Sequence, residues 1–182
     1  NTICYPVIFG CLDESACNFI TPSGSIWNDV NTENGTCILA SDLDDASKAQ
    51  LRVLRAFFYW RLMDLFGNVK IITTPGQDAP QSTRQQVFDF VESELLDAIG
   101  VTSVSASMDL SGSQLSVGEN KYRINRYAAL GILSKVYLNA EVYTGTARYN
   151  EAAIAAGYVI DNSSYQLCGV GCTVPNLGKR PS

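Results

Sequence analysis

Three carboxylates, Glu92, Glu94 and Asp97, are the residues of this chain that most resemble a catalytic set. Two of them could act as the acid and base of a glycosidase if a cleft brought them to the required separation. Their place in a helical pattern instead favours a solvated, charged helix face. The chain also has no histidine, the side chain most often used as a general base. We therefore predict no enzymatic activity and no catalytic residues.

A second group of oxygen-bearing side chains raises the question of a metal site. Asp29, Asn31 and Glu33 alternate in the manner of the ligands of a calcium-binding loop. Asn34 occupies the sixth position, where the standard loop has a glycine for its sharp turn. The sequence therefore predicts no metal ligands and no cofactor, and calcium binding near Asp29 stays an open alternative.

The two tryptophans have different surroundings. Trp27 lies in a polar stretch with Asn28 beside it, where an indole face next to an amide could stack on a sugar ring. The alternative is that Trp27 fills a small core held by disulfides. Trp60 lies on an apolar helical stripe, which favours a core position. Trp27 and Asn28 are therefore the predicted ligand-binding residues.

Charge and hydropathy argue against a nucleic-acid partner and against a transmembrane segment. The formal net charge is −5 and the sequence pI is about 4.6, so the chain's own field opposes a phosphate backbone and we expect no nucleic-acid partner. No run approaches the roughly 18 consecutive apolar residues of a membrane-spanning helix, so we expect no transmembrane segment. The length of 182 residues suits one globular domain with a small appendage.

The six cysteines lie towards the two ends of the sequence, and no pair has the Cys-x-x-Cys spacing of zinc knuckles or thioredoxin-like sites. Disulfides in an exported protein are the interpretation that fits. The four at the front allow three internal pairings, among which the sequence does not choose. The candidates are Cys4, Cys11, Cys17, Cys37, Cys168 and Cys172.

Residues 1–40 are predicted to be loops or short strands stapled by disulfides, and a long central helix is predicted from Ser41 to Gly67. Two neighbouring apolar stripes on this helix indicate that it is covered over a wide arc. The first and clearer stripe consists of Leu51, Leu54, Phe58, Leu62 and Leu65, and the second of Val53, Phe57 and Trp60.

Three further helices follow a short strand at 69–74. The second helix starts at a Ser82 or Thr83 cap and ends at Gly100, and a long surface loop is expected over 101–120. The third starts at an Asn125 cap and the fourth runs from about 148 to 160. Their predicted packing faces are Ala128, Ala129, Ile132, Val136 and Ala140 on one and Ala152, Ala153, Ala156 and Val159 on the other.

Two helices joined by a short turn, with small residues at the crossing, are typical of a tetratricopeptide-type unit. The predicted fold class is therefore mainly α, with helical hairpins, a short strand insertion and a disulfide-stapled N-terminal segment. The predicted domains are 1–40, 41–167 and 168–182. Four tyrosines are expected to wedge between helices with their hydroxyls at the surface: Tyr122, Tyr127, Tyr137 and Tyr143.

Four motifs occur in one order along the helical region. They are LRAFFYWRLMDLFGNV at 54–69, RINRYAA at 123–129, KVYLNAEVYTG at 135–145 and YNEAA at 149–153. In sequence and spacing this series resembles the SusD/RagB family, over roughly residues 46–167. SusD/RagB proteins occur in Gram-negative bacteria. Residues 10–19 and 34–37 resemble a short cysteine module of proteins that these bacteria secrete.

The resemblance implies an outer-membrane lipoprotein that faces outward, captures glycans or peptides, and covers a TonB-dependent, SusC-like transporter. It implies binding of an oligosaccharide or peptide rather than catalysis, and a lipid anchor that is not visible in this chain. Family members are considerably longer, so the chain is expected to carry only their early repeats. The alternative from another class is a structural or adhesive surface-assembly protein without a small-molecule ligand.

Overall fold

The computed structural model of the chain describes residues 8–10, 32–34, 43–74, 77–118 and 123–165, the first two ranges by their backbone. The chain divides into two compact units, Asn1–Lys48 and Ala49–Ser182. Most of the described residues are helical, so the predicted mainly α fold class is confirmed. Within the described ranges, no helix is both long and apolar enough to cross a membrane.

The described strands of the first unit form a parallel pair. Strand β1 (Ile8–Gly10) runs beside β2 (Thr32–Asn34), with Ile8 opposite Thr32 and Gly10 opposite Asn34. A short strand pair is one of the two forms predicted for residues 1–40. The predicted domain boundaries at 40 and 167 stay predictions.

Helix α1 (Asp45–Phe66) begins after Asp44, whose carboxylate accepts the Ser47 N–H at 2.6 Å. This contact satisfies one of the free N–H groups at the helix start. The helix ends at Gly67, which has a φ of 74° and donates its N–H to the Met63 carbonyl at 2.9 Å. The predicted start at Ser41 is about three residues too early, since residues 43 and 44 are not helical, whereas the predicted end at Gly67 is confirmed.

The wide covered arc predicted for α1 is wrong, because only the second of the two predicted stripes packs on the core. The buried side chains of α1 are Ala49, Val53, Ala56, Trp60 and Met63. The clearer stripe of the sequence pattern is exposed instead, from 39% at Leu62 to 66% at Leu65. Both stripes have helical spacing, and periodicity does not say which of two apolar faces meets the neighbouring helices.

A short hairpin follows α1. Strand β3 (Val69–Lys70) pairs in antiparallel fashion with β4 (Gln81–Ser82), so the strand predicted over 69–74 is shorter than expected. The Tyr59 hydroxyl accepts the Ile72 N–H at 2.7 Å and donates to the Ile72 carbonyl at 3.0 Å. Tyr59 therefore satisfies backbone groups that strand pairing leaves free beyond Lys70.

Helix α2 (Arg84–Ile99) has the ends that the sequence predicts. Thr83 accepts the Gln86 N–H while the Gln86 side chain accepts the Thr83 N–H, which forms a complete capping box. Gly100 closes the helix with a φ of 80°. Val87, Val91 and Leu95 are fully buried in the common core.

Glu94 corrects the prediction of a solvated acidic face. Its side chain is only 8% exposed, and Arg55 of α1 donates to it from Nε at 2.8 Å and from Nη2 at 2.6 Å. Arg52 contacts both Glu94 at 3.4 Å and Asp97 at 2.8 Å. The acidic face of α2 therefore carries ion pairs with α1, since two arginines one turn apart on α1 lie opposite it.

We expect Arg55→Met to lower the free energy of unfolding by about 1–3 kcal/mol. Full loss of a buried ion pair costs more, but Arg55 is 35% exposed and Arg52 remains beside Glu94. The matched control is Arg61→Met on the same helix, whose partner Asp64 is 40% exposed, with an expected change below about 0.5 kcal/mol. Urea unfolding followed by circular dichroism compares the two, and equal losses would contradict the prediction.

The segment between α2 and the next helix, residues 101–118, has neither helix nor strand, as predicted. It is more than a surface loop, because Val104, Leu110 and Leu115 are buried in the core. Buried side chains therefore fix the segment at three points along its length. Between these points, Asp109 accepts the Ser111 N–H at 2.8 Å, and this contact lowers the pKa of the Asp109 carboxyl.

Helices α3 (Arg126–Leu138), α4 (Ala140–Thr144) and α5 (Tyr149–Asn162) complete the fold. Asn125 caps α3 as predicted, accepting the Ala128 N–H at 2.9 Å. The predicted third helix is interrupted at Asn139, so its last turn forms α4, and Gly145 closes α4 with a φ of 79°.

Helices α3 and α5 form the predicted helical hairpin and run antiparallel. The Tyr127 hydroxyl donates to the Asn162 carbonyl at 2.6 Å, while Ser134 donates to the Ala152 carbonyl at 2.9 Å. The predicted residues Ala129, Val136, Ala140 and Ala152 are buried. Ala128 and Ala153 are exposed, because Leu130, Leu133 and Ala155 face the core instead.

Candidate functional site

Residues 101–106 contribute to two surface grooves. The larger, of about 520 Å³, is called here the polar groove. One wall is a row of exposed residues one turn apart on α2, and the other is the start of the segment after that helix. Its polar lining residues are Asp89, Glu92, Ser93, Asp97, Thr102, Ser103 and Arg148.

The smaller groove, of about 400 Å³, is called here the tyrosine groove. Tyr158, Asp161 and Asn162 of α5 line one side and Ser105 lines the other. An aromatic face beside amide and carboxylate groups is a combination that suits a sugar ring. Residues 101–103 line the polar groove and residues 105 and 106 line the tyrosine groove, so one continuous segment contributes to both.

A hydrogen-bonded network supports the end of the polar groove. The Tyr137 hydroxyl donates to Glu92 at 2.6 Å, and Arg148 donates to the same carboxylate oxygen at 3.1 Å. Arg148 also donates to Glu151, and its guanidinium lies 4.6 Å from the centroid of the Tyr137 ring. Glu92 is therefore held by α3 and by the start of α5, which fixes one end of the groove.

The network changes the titration of Tyr137. This residue is fully buried, and burial raises the pKa of its hydroxyl, which the hydrogen bond to Glu92 and the charge of Glu92 raise further. Tyr143 behaves similarly, since burial is the main cause of its raised pKa. Both hydroxyls stay protonated at neutral pH and act as hydrogen-bond donors.

The polar groove can hold a ligand through hydrogen bonds. The carboxylates of the groove can accept hydrogen bonds from the hydroxyl groups of a ligand, and Arg148 can donate them. The hydroxyls of Ser93 and Thr102 can do both. Glu94 does not line the groove, and its carboxylate is bound by Arg55 and Arg52 of α1. The three carboxylates of the predicted acidic set therefore do not converge on one point. Within the described ranges, no group of three or more His, Cys, Asp or Glu residues is placed to hold a metal ion.

Most site residues predicted from the sequence fall outside the described residues. This applies to Trp27 and Asn28, to all six candidate disulfide cysteines, and to Asp29 and Asn31 of the calcium-like pattern, whereas Glu33 and Asn34 of that pattern lie in β2. Trp27, Asn28 and the disulfides therefore stay predictions.

The aromatic predictions that the structure describes can be checked. Trp60 is 9% exposed, so its predicted core position is confirmed. Tyr127, Tyr137 and Tyr143 are buried between helices, as predicted. Their hydroxyls donate to Asn162, Glu92 and Asp64 rather than pointing into solvent. Tyr122 lies outside the described residues.

Sequence reasoning missed Arg148, Thr102 and Tyr158 as groove residues. One signal was available for Arg148, which directly precedes α5. A positive charge is unfavourable at a helix start unless an acidic partner is near, and Glu151 three residues later is such a partner. Thr102 and Tyr158 have no comparable signal. Thr102 lines the polar groove and Tyr158 lines the tyrosine groove only because segments distant in the sequence pack together.

Comparison with known proteins identifies relatives of this chain. No protein-family model matches the chain. Over 122 residues, 66% of this chain, it is 31% identical to the starch-binding protein SusD of Bacteroides thetaiotaomicron, of which it covers 20%. The chain therefore spans about a fifth of the length of that curated relative.

Two solved structures from Bacteroides thetaiotaomicron agree in sequence and in fold. A SusD superfamily protein is 27% identical with a TM-score of 0.54, over 68% of this chain and 26% of its own. A SusD homolog is 28% identical with a TM-score of 0.53, over 68% of this chain and 24% of its own. The motif order, the helical hairpin and these relatives agree, so about two thirds of this chain is SusD-like in sequence and fold.

Proposed function

We propose that this protein binds a glycan at the bacterial cell surface and does not transform it. The observation that carries the proposal is the 31% identity to a protein named for starch binding. Because the chain covers only a fifth of that relative, we propose both the glycan ligand and the position of its binding site on this chain. An α-1,4-glucan is the first ligand to test.

The polar groove is the proposed site within the described residues. Asp89, Ser93 and Asp97 form an exposed row along α2, with Thr102 and Ser103 opposite them. Neighbouring hydroxyls of a sugar can donate to a carboxylate and accept from a serine or threonine at the same time. Trp27 and Asn28, predicted from the sequence, are the second proposed contact.

The resemblance to the family supports a proposal for the wider setting. We propose that the protein faces outward at the outer membrane through a lipid anchor and delivers its ligand to a TonB-dependent, SusC-like transporter. The buried network around Glu92 supports a holding role, because its carboxylate is already bound by Tyr137 and Arg148. A carboxylate engaged in this way is a poor general base.

Calorimetric titration of the whole protein with maltoheptaose and a panel of other oligosaccharides tests the proposal. Ser93→Tyr should fill the polar groove and weaken binding at least tenfold, since Ser93 is exposed on its wall. The matched control, Ala128→Tyr, adds the same ring at an exposed position of α3 and should leave the affinity unchanged.

Two other results would change the proposal. Binding that survives Ser93→Tyr but is lost in Trp27→Ala would move the site to Trp27. No binding by the folded protein to any member of the panel would contradict glycan binding itself. Isolation from native membranes should recover a TonB-dependent transporter, whereas a self-assembled polymer would favour the adhesive alternative.

A further inference from the structure

The tyrosine groove is lined by a tyrosine whose hydroxyl has no partner within the described ranges. Seven tyrosines lie in these ranges, and the hydroxyls of six of them are hydrogen-bonded to other groups of the chain. The six are Tyr59, Tyr127, Tyr137, Tyr143, Tyr149 and Tyr165. Tyr158 is the seventh, and no described residue bonds its hydroxyl. Its ring is half-buried, so part of the ring and the hydroxyl are available to a ligand.

One face of α5 forms the side of the groove on which Tyr158 lies. Ile154, Tyr158 and Asp161 line it at spacings of four and three residues, which places them on the same face of the helix. Ile154 and Tyr158 pack against the core, whereas Asp161 is exposed. Gly157 lies between them without a side chain, and a Cβ added there would meet no atom of another segment within 4 Å. This side of the groove is therefore an aromatic ring next to open space, with a carboxylate one helical turn away.

Asp161 supplies hydrogen-bond acceptors that the protein itself does not use. Within the described ranges its carboxylate has neither a hydrogen bond nor an ion pair. The two oxygens of a carboxylate can accept from two adjacent hydroxyl groups of one ligand. Asn162 donates from Nδ2 to the Tyr158 carbonyl at 2.9 Å, which leaves its Oδ1 as a further acceptor. The groove therefore combines an apolar ring surface with acceptors for hydroxyl groups.

We infer that the tyrosine groove is a second sugar-binding site, which takes one neutral pyranose ring. The C–H face of the sugar packs on the Tyr158 ring and over Gly157, while two adjacent hydroxyls of the sugar donate to Asp161. The class of ligand rests on the proposed function, whereas the site is separate, because the two grooves share no lining residue. An anionic sugar is disfavoured, since no described cation pairs with Asp161.

The size of the groove sets the expected affinity. Its volume of about 400 Å³ is near the lower limit for small-molecule sites, which suits a single sugar ring rather than a long oligosaccharide. A methyl glycoside has about a dozen non-hydrogen atoms, and at the usual contribution per atom its dissociation constant is on the order of 1 mM. We therefore expect weak binding that nuclear magnetic resonance can measure.

Titration of the ¹⁵N-labelled whole protein with methyl α-D-glucopyranoside, up to about 100 mM, tests the site. The amide signals of residues 154–162 should shift with a single dissociation constant. Gly157→Leu places a side chain in the groove and should weaken binding at least tenfold. The matched control is Gly131→Leu on α3, at a helical glycine that also has no atom of another segment within 4 Å and does not line the groove. It should leave the dissociation constant unchanged.

Two further variants separate the ring from the carboxylate. Tyr158→Leu keeps an apolar side chain on the core but removes the aromatic face, and it should weaken binding at least fivefold. Asp161→Asn should weaken binding of methyl α-D-glucopyranoside about threefold, because one of the two acceptors is lost. Methyl 3-deoxy-α-D-glucopyranoside has no pair of adjacent hydroxyls. It should bind more weakly to the natural protein, and Asp161→Asn should not weaken it further.

The possible results separate this inference from the proposed function. Absence of shifts at residues 154–162, or shifts that persist unchanged in Gly157→Leu, would overturn the second site. The calorimetric panel of oligosaccharides reports on glycan binding independently, so a positive panel without shifts in the tyrosine groove would overturn the second site alone. Circular dichroism checks that the variants fold. If Tyr158→Leu does not fold, Gly157→Leu decides the result, because leucine favours a helix more than glycine does.

Discussion

Trp60→Ala is expected to lower the free energy of unfolding by about 3–5 kcal/mol, the usual cost of truncating a buried aromatic side chain. Trp60 is 9% exposed and meets the ring of Phe57 edge to face at 6.0 Å. Its indole N–H donates to the Tyr143 hydroxyl at 3.2 Å, and that hydroxyl donates to Asp64 at 2.9 Å. Alanine would remove both the packed volume and the donor that joins α1 to α4.

The contribution of volume can be separated from that of the hydrogen bond. Trp60→Phe keeps most of the apolar contact but loses the donor, so a smaller loss of about 1–2 kcal/mol is expected. Leu62→Ala removes a partly exposed side chain of the same helix and should cost less than either. Urea unfolding followed by circular dichroism gives all three values. A loss below about 1 kcal/mol for Trp60→Ala would contradict the core assignment.

The second large effect is a loss of stability in alkali that depends on Tyr137. Its pKa is raised in the folded state by burial and by Glu92, whereas the unfolded chain titrates near the ordinary value of about 10. Stability from the neutral hydroxyl is therefore fully present below about pH 10 and is lost as the pH rises above it. The loss should approach about 1.4 kcal/mol per pH unit for this group.

Unfolding measured at intervals between pH 9 and pH 12 checks this dependence. Tyr137→Phe cannot ionise, so it should be less stable than the natural protein at pH 9 but should lose less stability per pH unit above 10. The matched control, Ser134→Ala, removes a half-buried hydroxyl that donates to the Ala152 carbonyl at 2.9 Å but does not ionise in this range, so it should leave the slope unchanged. Equal slopes for the natural protein and Tyr137→Phe would contradict the role of Tyr137.

The helix ends could be predicted because their causes are local. A side-chain oxygen at Thr83 or Asn125 satisfies N–H groups two or three residues later, and a glycine at 67, 100 or 145 adopts a positive φ at little cost. These requirements concern a few neighbouring residues. The sequence pattern therefore located them without knowledge of the rest of the fold.

The burial of the helix faces could not be predicted in the same way. Leu62 and Met63 are adjacent on α1, yet the first is exposed and the second is fully buried, because the neighbouring helices lie on one side only. Glu94 appeared solvated because its partners, Arg52 and Arg55, are about 40 residues away in sequence. Long-range packing decides burial and ion pairing, and periodicity alone does not encode it.

The grooves could not be predicted from the sequence, for the same reason. Asp97 and Arg148 line one groove although about 50 residues separate them. The sequence singled out Asp97 and Glu92 as charged residues of one helix, but it did not indicate that α5 lies beside them. The predicted binding pair, Trp27 and Asn28, was identified by local polarity, which says nothing about groove shape.

The buried anchors of residues 101–118 determine where this part of the protein can change in length. Residues 101–103 and 105–106 line the two grooves, while Leu110 and Leu115 are held in the core on either side of the Ser111–Gly112 turn. A side chain added at Gly112 would meet no atom within 4 Å. Insertions at this turn would extend into solvent between two fixed points. Related proteins could therefore vary the turn without altering the shape of either groove.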